Sequence, residues 1–284
     1  MTNVTLRQRL RPVSRLIPHP IRQRLLRMWR DILSLPARMK KGARPFPWAT
    51  MHDVGGGEFY QVGRTIRDQL IAEAGLKPDD HVLDIGCGTG RVAFALTDYL
   101  SAQGGYTGFD VSAPGLAWMI RHMPPAAAPF RIVRADIFNT EYRQNTASPA
   151  SAYQFPVRDA DVDVAFATSV FTHLLPADAE HYLKEIGRSL KPGGRALITA
   201  FLMSAPRQAK MDKAFVPFFP FGPNAFVGSP KVPEAMIAFD EDTFLRWIDA
   251  AGLKLDRPVV RGRWCGDPGA RFQDQMILIR PGLA

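Results

Sequence analysis

A glycine-rich loop between a predicted strand and a predicted helix is the feature that most constrains this chain. His81 to Ile85 is a short apolar run typical of a buried strand, and Gly86-Cys87-Gly88-Thr89-Gly90 follows it directly. Glycines at alternate positions leave out side chains where the backbone has to turn tightly and approach a ligand. In an open α/β sheet, such a ligand lies at the carboxyl ends of the strands. The loop therefore predicts an α/β domain with a ligand site at this point.

Strands and helices alternate along the sequence on both sides of the loop. The predicted strands are 81–85, 106–109, 130–134, 162–167, 195–201, 253–260 and 275–279. The predicted helices are 58–74, 91–100, 113–122, 177–190 and 241–251. A turn at 191–194 is expected before the fifth strand. This alternation predicts a doubly wound, mostly parallel seven-stranded sheet with flanking helices.

Residues 203–239 interrupt the alternation after the fifth predicted strand. They are rich in Phe and Pro and follow neither the helical nor the strand period. An insertion there would lie over the ligand edge of the sheet, so we expect it to act as a substrate lid. Phe215, Phe218 and Phe219 are the expected substrate contacts in the lid, with Tyr60 on the opposite side. The alternative is an apolar patch that packs on the core or on a partner subunit.

An acidic residue, Asp110, ends the second predicted strand about 20 residues after the last glycine of the loop. A carboxylate there can accept hydrogen bonds from both hydroxyls of an adenosine ribose. A nicotinamide or flavin dinucleotide loop would need glycine at the sixth position counted from Gly86, where this chain has Arg91. A phosphate-binding P-loop would need a Gly-Lys-Ser/Thr run, which does not follow. A purely structural turn is the remaining alternative, and the combination of three glycines with an acid disfavours it.

These motifs resemble those of the class I S-adenosylmethionine-dependent methyltransferases. The resemblance extends over about 58–279 and is strongest at 82–90, 108–112 and 190–194. It implies a Rossmann-like seven-stranded fold, S-adenosyl-L-methionine as the cofactor and methyl transfer as the reaction. The chain looks closest to bacterial small-molecule methyltransferases that carry a Phe-Thr-His-Leu segment after the fourth strand, here residues 171–174.

The resemblance also implies cofactor contacts, residue by residue. The matching positions are Asp84, Gly86, Cys87, Gly88, Thr89, Gly90, Asp110, Val111, Asp136, Ile137, Thr168 and Ser169. In that family the acid after the second strand binds the ribose hydroxyls. An acid after the third strand meets the adenine amino group, and the next apolar residue lies against the ring. The acid before the glycine loop orders the methionine amino group, to which the end of the fourth strand also contributes backbone contacts.

His173 is the candidate catalytic residue. Methyl transfer from a sulfonium is an in-line displacement, so the protein mainly has to hold the acceptor close and aligned. A hydroxyl acceptor also benefits from a base within about 3 Å, and imidazole titrates near neutral pH. His173 follows the fourth strand, which would place it beside the methyl group of the cofactor. The alternative is a histidine at a helix start with no chemical role.

Basic charge is concentrated in residues 1–50, which form a separate N-terminal arm. The arm holds twelve Lys or Arg and one acid, a net charge of +11, whereas the remaining 234 residues hold 24 bases and 26 acids, a net charge of −2. This nearly neutral body, residues 51–284, is the predicted methyltransferase domain, and its charge argues against a nucleic acid partner.

Residues 21–35 of the arm predict an amphipathic helix that ends before Pro36, with apolar residues on one face and arginines on the other. Such a helix suits peripheral contact with an anionic membrane. Docking of the helix on the body of the protein is an equal alternative, and a transit peptide or a nucleic acid contact are weaker ones.

Cysteine content and hydropathy bear on the expected location. The chain has two cysteines, Cys87 and Cys265, which form neither a disulfide framework nor a zinc site, so a reducing cytoplasm is expected. No apolar run approaches the roughly 20 residues that cross a bilayer, and the N-terminus lacks the apolar part of a secretory signal. We expect a cytoplasmic protein, with contact of the arm with the inner face of a membrane as one of its two equal alternatives. No metal site is expected, because no histidine or cysteine grouping has ligand spacing.

The expected function is methyl transfer from S-adenosylmethionine to an oxygen or nitrogen of a small molecule, with saccharide or lipid-linked acceptors among the candidates. A second hypothesis is methylation of RNA or protein, which would require a basic groove near the site. A third is a non-catalytic module that binds the cofactor without turnover. The oligomeric state is not predicted.

Overall fold

The computed structural model describes residues 19–40, 42, 44–51, 58–137 and 149–282. The chain divides into two compact units, residues 1–56 and residues 57–284. No described helix is long and apolar enough to span a membrane.

In the described part of the first unit, residues 19–40, 42 and 44–51, the α-helix is α1 (His19–Arg38). Residues 44–51, which we call the strap, return along this helix and are bonded to its side chains. Pro36 does not end α1 as the sequence suggested, because it lies in the last turn of the helix. The side chain of Arg38 donates hydrogen bonds to two carbonyl oxygens of the strap, and these bonds hold the turn beyond the proline in place.

The second unit is an α/β domain, and its described residues, 58–137 and 149–282, form eleven strands. In chain order these are β1 (His81–Ile85), β2 (Gly105–Asp110), β3 (Phe130–Arg134), β4 (Val162–Ala167), β5 (Leu190–Ala200), β6 (Leu202–Met203), β7 (Phe219–Phe221), β8 (Ala225–Val227), β9 (Ile237–Asp240), β10 (Lys254–Leu255) and β11 (Asp274–Ile279). Seven of them form one sheet in the order β10-β11-β5-β4-β1-β2-β3. Strands β1 to β5 are parallel, β11 pairs antiparallel with β5, and the edge strand β10 pairs antiparallel with β11. The predicted doubly wound, mostly parallel sheet is confirmed.

The described helices of this unit are α2 (Phe59–Ala74), α3 (Arg91–Leu96), α4 (Ala113–His122), α5 (Pro176–Ser189), α6 (Ala205–Gln208) and α7 (Glu241–Ala250). Three of them, α3, α4 and α5, follow the parallel strands β1, β2 and β4. The side chain of Glu58 caps the first turn of α2, and Gly75 ends that helix in the left-handed conformation, with φ 73°. Ser112 caps α4 by accepting a hydrogen bond from Gly115 N–H. Local capping chemistry therefore sets the ends of these two helices where the sequence predicted them.

Two predicted boundaries are wrong. Helix α3 ends at Leu96 rather than near residue 100, because the chain turns there and the Thr97 hydroxyl donates to Phe94 O at 2.9 Å. The predicted turn at 191–194 is a bulge within β5: the register moves from Val162↔Leu190 to Val164↔Arg195, so extra residues of β5 are looped out.

The strand predicted at 253–260 is also shorter than expected. Only Lys254 and Leu255 form β10, and Val260 returns to the sheet edge as an isolated bridge to Gln275. Pro258 separates the two, since a proline has no N–H to donate to a ladder.

The insertion after β5 is a folded element rather than an irregular segment. Strands β6, β9, β8 and β7 form a second, four-stranded sheet in that order. Phe218 is 6% exposed and packs against Phe201 and Trp264, with ring centroids 5.5 and 5.3 Å away. Strands of two to four residues are too short to show a period, which is why the sequence pattern missed them. Phe218 is therefore part of a packed apolar patch, which was the alternative to a substrate-contacting lid.

A buried ion pair connects the insertion to the edge of the main sheet. Arg207, which is 4% exposed, donates from Nη1 to both carboxylate oxygens of Asp274, at 2.8 and 2.7 Å. Asp274 is fully buried and also accepts from the backbone N–H groups of Leu202 and Gly262 and from the indole of Trp264. Removing one partner of such a pair leaves an uncompensated buried charge, which is strongly destabilising.

We expect Arg207→Met to lower the free energy of unfolding by about 3–5 kcal/mol, because the Asp274 carboxylate would lose its counter-ion. Lys210→Met is the matched control, since half-exposed Lys210 pairs with Asp267 at 3.0 Å and exposed pairs contribute about 0–1 kcal/mol. Urea denaturation of the full chain measures both losses. Equal losses in the two variants would contradict the role given to the buried pair.

Candidate functional site

The glycine loop lies at the carboxyl end of β1, where the strand order reverses. Strand β1 has β2 on one side and β4 on the other, and open α/β sheets bind ligands at such a switch point. The backbone N–H groups of Gly86 and Cys87 both donate to Phe109 O, at 2.9 and 3.0 Å. The loop therefore folds over the end of β2 before α3 begins at Arg91.

Close packing requires glycine at two positions of the loop. Gly86 and Gly90 have φ values of 74° and 81°, which glycine adopts without strain. A Cβ on Gly86 would lie 2.6 Å from Cγ2 of Val170, and a Cβ on Gly90 would lie 2.6 Å from Cγ of Met119. The loop is thus held between the chain after β4 and helix α4, and its shape depends on these contacts.

Asp110 ends β2 with its carboxylate directed at the loop. Oδ2 accepts a hydrogen bond from Gly88 N–H and Oδ1 from Ser112 N–H, both at 2.8 Å. Burial raises the pKa of Asp110, and the two backbone N–H groups oppose that rise. Because a carboxylate oxygen can accept more than one hydrogen bond, each can still accept from a ribose hydroxyl. Both oxygens are thus able to take the predicted role, and ribose binding by Asp110 stays a prediction.

A second carboxylate, Asp84, lies buried in β1 and is bonded to a residue that the sequence analysis missed. The hydroxyl of Tyr106 donates to Asp84 Oδ2 at 2.6 Å, and Asp84 is 4% exposed. Burial raises the pKa of Asp84 to about 7; the hydrogen bond from Tyr106 lowers it, and the charge of nearby Asp110 raises it. Tyr106 thus favours the charged form of a carboxylate that burial disfavours.

Gly108 makes room for the phenol of Tyr106. Gly108 lies opposite Asp84 in the β1–β2 ladder, and it shares a face with Tyr106 because side chains alternate along a strand. A Cβ on Gly108 would lie 2.6 Å from the Tyr106 hydroxyl oxygen, so glycine there lets the phenol cross to Asp84. Stacking on Phe130, with ring centroids 4.7 Å apart, fixes the ring. The spacing Tyr-x-Gly-x-Asp in β2 was the signal that could have identified Tyr106.

The two carboxylates fit the polar groups of S-adenosylmethionine. Asp110 would accept from the ribose hydroxyls, and ionised Asp84 would attract the methionine ammonium group. A pyrophosphate at the loop would instead be repelled by Asp84, which agrees with the failed dinucleotide fingerprint. Among the described residues, no group of three His, Cys, Asp or Glu is placed to hold a metal ion.

The turn after β4 holds a serine in an unusual backbone conformation. Ser169 has a φ of 59°, which is rare for a residue with a side chain. Its N–H donates to Thr199 Oγ1 at 2.8 Å and its hydroxyl to Gln273 Oε1 at 3.2 Å. Such conformations cost about 1–3 kcal/mol and concentrate at functional sites. The Ser169 carbonyl oxygen accepts from the Thr172 hydroxyl at 3.2 Å, and since a carbonyl oxygen can accept a second hydrogen bond, a backbone contact from Ser169 to the cofactor stays a prediction. A contact from Thr168 stays a prediction.

His173 lies in a 3₁₀ turn after β4 and contacts the insertion. Its Nδ1 is 2.9 Å from the backbone oxygen of Glu234. Since a carbonyl oxygen only accepts, Nδ1 carries the proton, and the neutral ring has its lone pair on Nε2. Within the described part of the chain, the ring makes no other hydrogen bond. His173 therefore has the tautomer in which Nε2 can accept a proton, and its role as the general base stays a prediction.

The residues predicted to hold adenine follow β3. Ile137 is buried, with 3% exposure, whereas Asp136 is exposed. The two side chains thus point to the interior and to the surface, respectively. Their contacts with an adenine ring stay a prediction, as do those of Val111 and Thr89.

The predicted substrate-contacting aromatic residues lie in different surroundings. Tyr60, in the first turn of α2, packs edge-on against Phe94 with centroids 5.9 Å apart. Phe215 and Phe219 are 70% and 48% exposed, whereas Phe218 belongs to the interior of the insertion. Of the three insertion phenylalanines predicted to contact the substrate, two present their rings at the surface.

The sheet order, the glycine loop and the two carboxylates define a class I, Rossmann-like domain of the S-adenosylmethionine-dependent methyltransferases. Residues 83–198 match the family described as a methyltransferase domain. This part of the chain is therefore a methyltransferase domain of that class, and S-adenosyl-L-methionine is its cofactor.

Comparison with particular proteins supports this assignment. The chain is 30% identical over 141 residues to 27-O-demethylrifamycin SV methyltransferase of Amycolatopsis mediterranei, a match that covers 49% of this chain and 44% of that protein. It is 24% identical over 213 residues to the ubiquinone/menaquinone biosynthesis C-methyltransferase UbiE of Teredinibacter turnerae, covering 75% and 74% of the two chains. The chain spans about half the length or less of most curated relatives that it matches.

A solved structure has the same fold. The crystal structure of the PH0226 protein from Pyrococcus horikoshii matches with a TM-score of 0.53 and 14% sequence identity, covering 81% of this chain and 94% of that one. At this identity the likeness concerns the fold, so the acceptor has to be inferred from the site.

We expect Tyr106→Phe to weaken binding of S-adenosylhomocysteine about tenfold at neutral pH, because Asp84 would lose a hydrogen bond to its charged form. In the wild type, affinity falls as the pH drops below about 7, since protonated Asp84 no longer attracts the ammonium group. In the variant the fall begins at higher pH. Calorimetric titration between about pH 6 and 8 measures both curves.

Tyr99→Phe is the control for this experiment. Its hydroxyl donates to Leu76 O at 2.7 Å, outside the glycine loop, so its removal leaves Asp84 unchanged. If Tyr106→Phe had the affinity and the pH profile of the wild type, Tyr106 would have no part in setting the charge of Asp84.

Proposed function

We propose that this protein transfers the methyl group of S-adenosylmethionine to an oxygen of a small molecule, with nitrogen as the second acceptor atom. The observation that carries the proposal is the bond from His173 Nδ1 to Glu234 O, which leaves the lone pair of the neutral ring on Nε2, the proposed proton acceptor. The name of the Amycolatopsis mediterranei relative specifies an oxygen as the methylated atom, which supports a hydroxyl acceptor.

The proposed reaction needs alignment and one proton acceptor. When bound, S-adenosylmethionine supplies a methyl carbon made electrophilic by its sulfonium charge, and the bonding pair of the broken carbon–sulfur bond stays on sulfur. The acceptor hydroxyl bonds to that carbon through oxygen and gives its proton to Nε2 of His173. Asp84 would hold the methionine ammonium group and Asp110 the ribose hydroxyls, and alignment would supply much of the rate. A positioned base contributes about 10²–10⁴-fold more.

The insertion is the proposed cover of the acceptor. Its 3₁₀ turn at Pro233–Ala235 contains Glu234, so one element of the insertion lies directly beside the proposed base. The exposed rings of Phe215 and Phe219 offer apolar surface to an acceptor, and Tyr60 is the proposed contact on the other side. Covering the site would exclude water from the displacement.

The proposed acceptors are small molecules, with saccharides and lipid-linked compounds among them. The Teredinibacter turnerae relative is named for C-methylation in quinone biosynthesis. A ring carbon activated by an adjacent ionised hydroxyl is therefore a further acceptor for the same base. RNA or protein acceptors have less support, because residues 51–284 carry a net charge of −2. The proposed location is the cytoplasm, with the arm in contact with the inner face of a membrane.

We expect His173→Gln to lower release of S-adenosylhomocysteine at least tenfold with a panel of hydroxylated small molecules, because the acceptor proton would have no base. Affinity for S-adenosylhomocysteine should not change. His181→Gln is the matched control: His181 also bonds to a backbone carbonyl, Tyr153 O at 2.8 Å, but it belongs to α5.

Two results would count against the proposal. Unchanged turnover of the His173 variant would end its assignment as the base. Tight binding of S-adenosylmethionine without turnover on any hydroxyl, amine or phenol would favour the non-catalytic module.

A further inference from the structure

The apolar face of α1 is exposed. Its members are Leu25, Leu26, Met28, Trp29, Ile32, Leu33 and Leu35, with exposures from 42% to 62%. At about 100° per residue, these positions occupy one half of the helix surface. An amphipathic helix in a water-soluble protein usually buries this face. Contiguous apolar surface of this kind marks a site of contact with another molecule.

The strap covers the opposite, polar face of the helix. From residue 25 to residue 38, four side chains are partly shielded: Arg27, Asp31, Ser34 and Arg38. Their spacing of three or four residues places them in one stripe along α1. The strap shields polar residues and leaves the apolar ones uncovered, the reverse of the usual arrangement.

Specific bonds fasten the strap to this polar stripe. Asp31 accepts hydrogen bonds from the backbone N–H groups of Ala49 and Thr50 and from the Thr50 hydroxyl. The guanidinium of Arg38 lies 4.0 and 3.7 Å from the ring centroids of Phe46 and Trp48. The two aromatic rings of the strap are thus engaged with an arginine and are not available to cover the apolar face.

We propose that the exposed face of α1 docks on an anionic lipid surface. Charge complementarity selects this occupant, because residues 1–50 carry a net charge of +11. Their single acid, Asp31, is already bonded to the strap. Exposed Arg30 lies at the border between the two faces, where it would meet lipid headgroups. Each basic residue near such a surface adds attraction, which salt weakens.

The side chains of the face suit the depth at which an interfacial helix lies. Trp29, 58% exposed, is of the type that concentrates at the boundary between headgroups and acyl chains. Leu33, one turn further along, is 62% exposed, and Met39 beyond the helix is 82% exposed. If the proposed function holds, this docking would keep the methyltransferase domain near lipid-linked acceptors.

Sedimentation of the full chain with vesicles tests this proposal. We expect binding to phosphatidylcholine vesicles that contain phosphatidylglycerol, with at least tenfold weaker binding to phosphatidylcholine alone. The double variant Trp29→Ser/Leu33→Ser should lose at least tenfold in affinity for the anionic vesicles. Ile120→Ser is the matched control, because Ile120 is equally exposed, at 60%, but belongs to α4. Higher salt should weaken the wild-type binding.

Other occupants of the face give different results. The proposal is overturned if the intact chain does not sediment with anionic vesicles, or if the double variant sediments as the wild type does. A concentration-dependent dimer that the double variant abolishes, without vesicle binding, would assign the face to a second copy. A lower unfolding free energy in the double variant, again without vesicle binding, would assign it to the body of this protein. Turnover measured without vesicles tests the methyl transfer separately.

Discussion

The bend of the backbone from β1 into α3 is the constraint on which the rest of the site depends. Gly86 and Gly90 take conformations and contacts that a side chain would prevent, so the loop lies against the chain after β4 and against α4. That position puts Gly88 N–H within reach of the Asp110 carboxylate. Asp110, the proposed ribose-binding acid, the buried Asp84 and the turn after β4 thereby lie at the switch of strand order.

The two buried carboxylates, Asp274 and Asp84, are stabilised in different ways. Asp274 is neutralised by Arg207 and saturated with hydrogen bonds, which suits a purely structural role. Asp84 has one phenol as its partner and no counter-ion bonded to it within the described residues, so burial raises its pKa to about 7. A buried carboxylate with a raised pKa is stabilised in its charged form by a cationic ligand, and the methionine ammonium group of the cofactor is such a ligand.

Local chemistry made much of the fold predictable. The caps at Glu58, Gly75 and Ser112 and the alternation of strands and helices required only short-range patterns. The bulge within β5 and the small sheet of the insertion did not follow, because register and very short strands depend on neighbours distant in sequence. At the site, the glycines and Asp110 were visible as a motif. The hydrogen bond from Tyr106 to Asp84 depends on β1 and β2 lying side by side, which the sequence does not show directly. The hydrogen bond of His173 joins it to a carbonyl oxygen 61 residues away in the chain.

The most direct test of this account is which ligand the glycine loop accepts. Calorimetric titration of the wild type and of Asp110→Asn with S-adenosylhomocysteine and with NADH measures this choice. The account predicts that S-adenosylhomocysteine binds, that NADH does not, and that Asp110→Asn weakens the binding at least tenfold, or about 1.4 kcal/mol, because the ribose hydroxyls lose a charged acceptor. Binding of NADH with no binding of S-adenosylhomocysteine would contradict it.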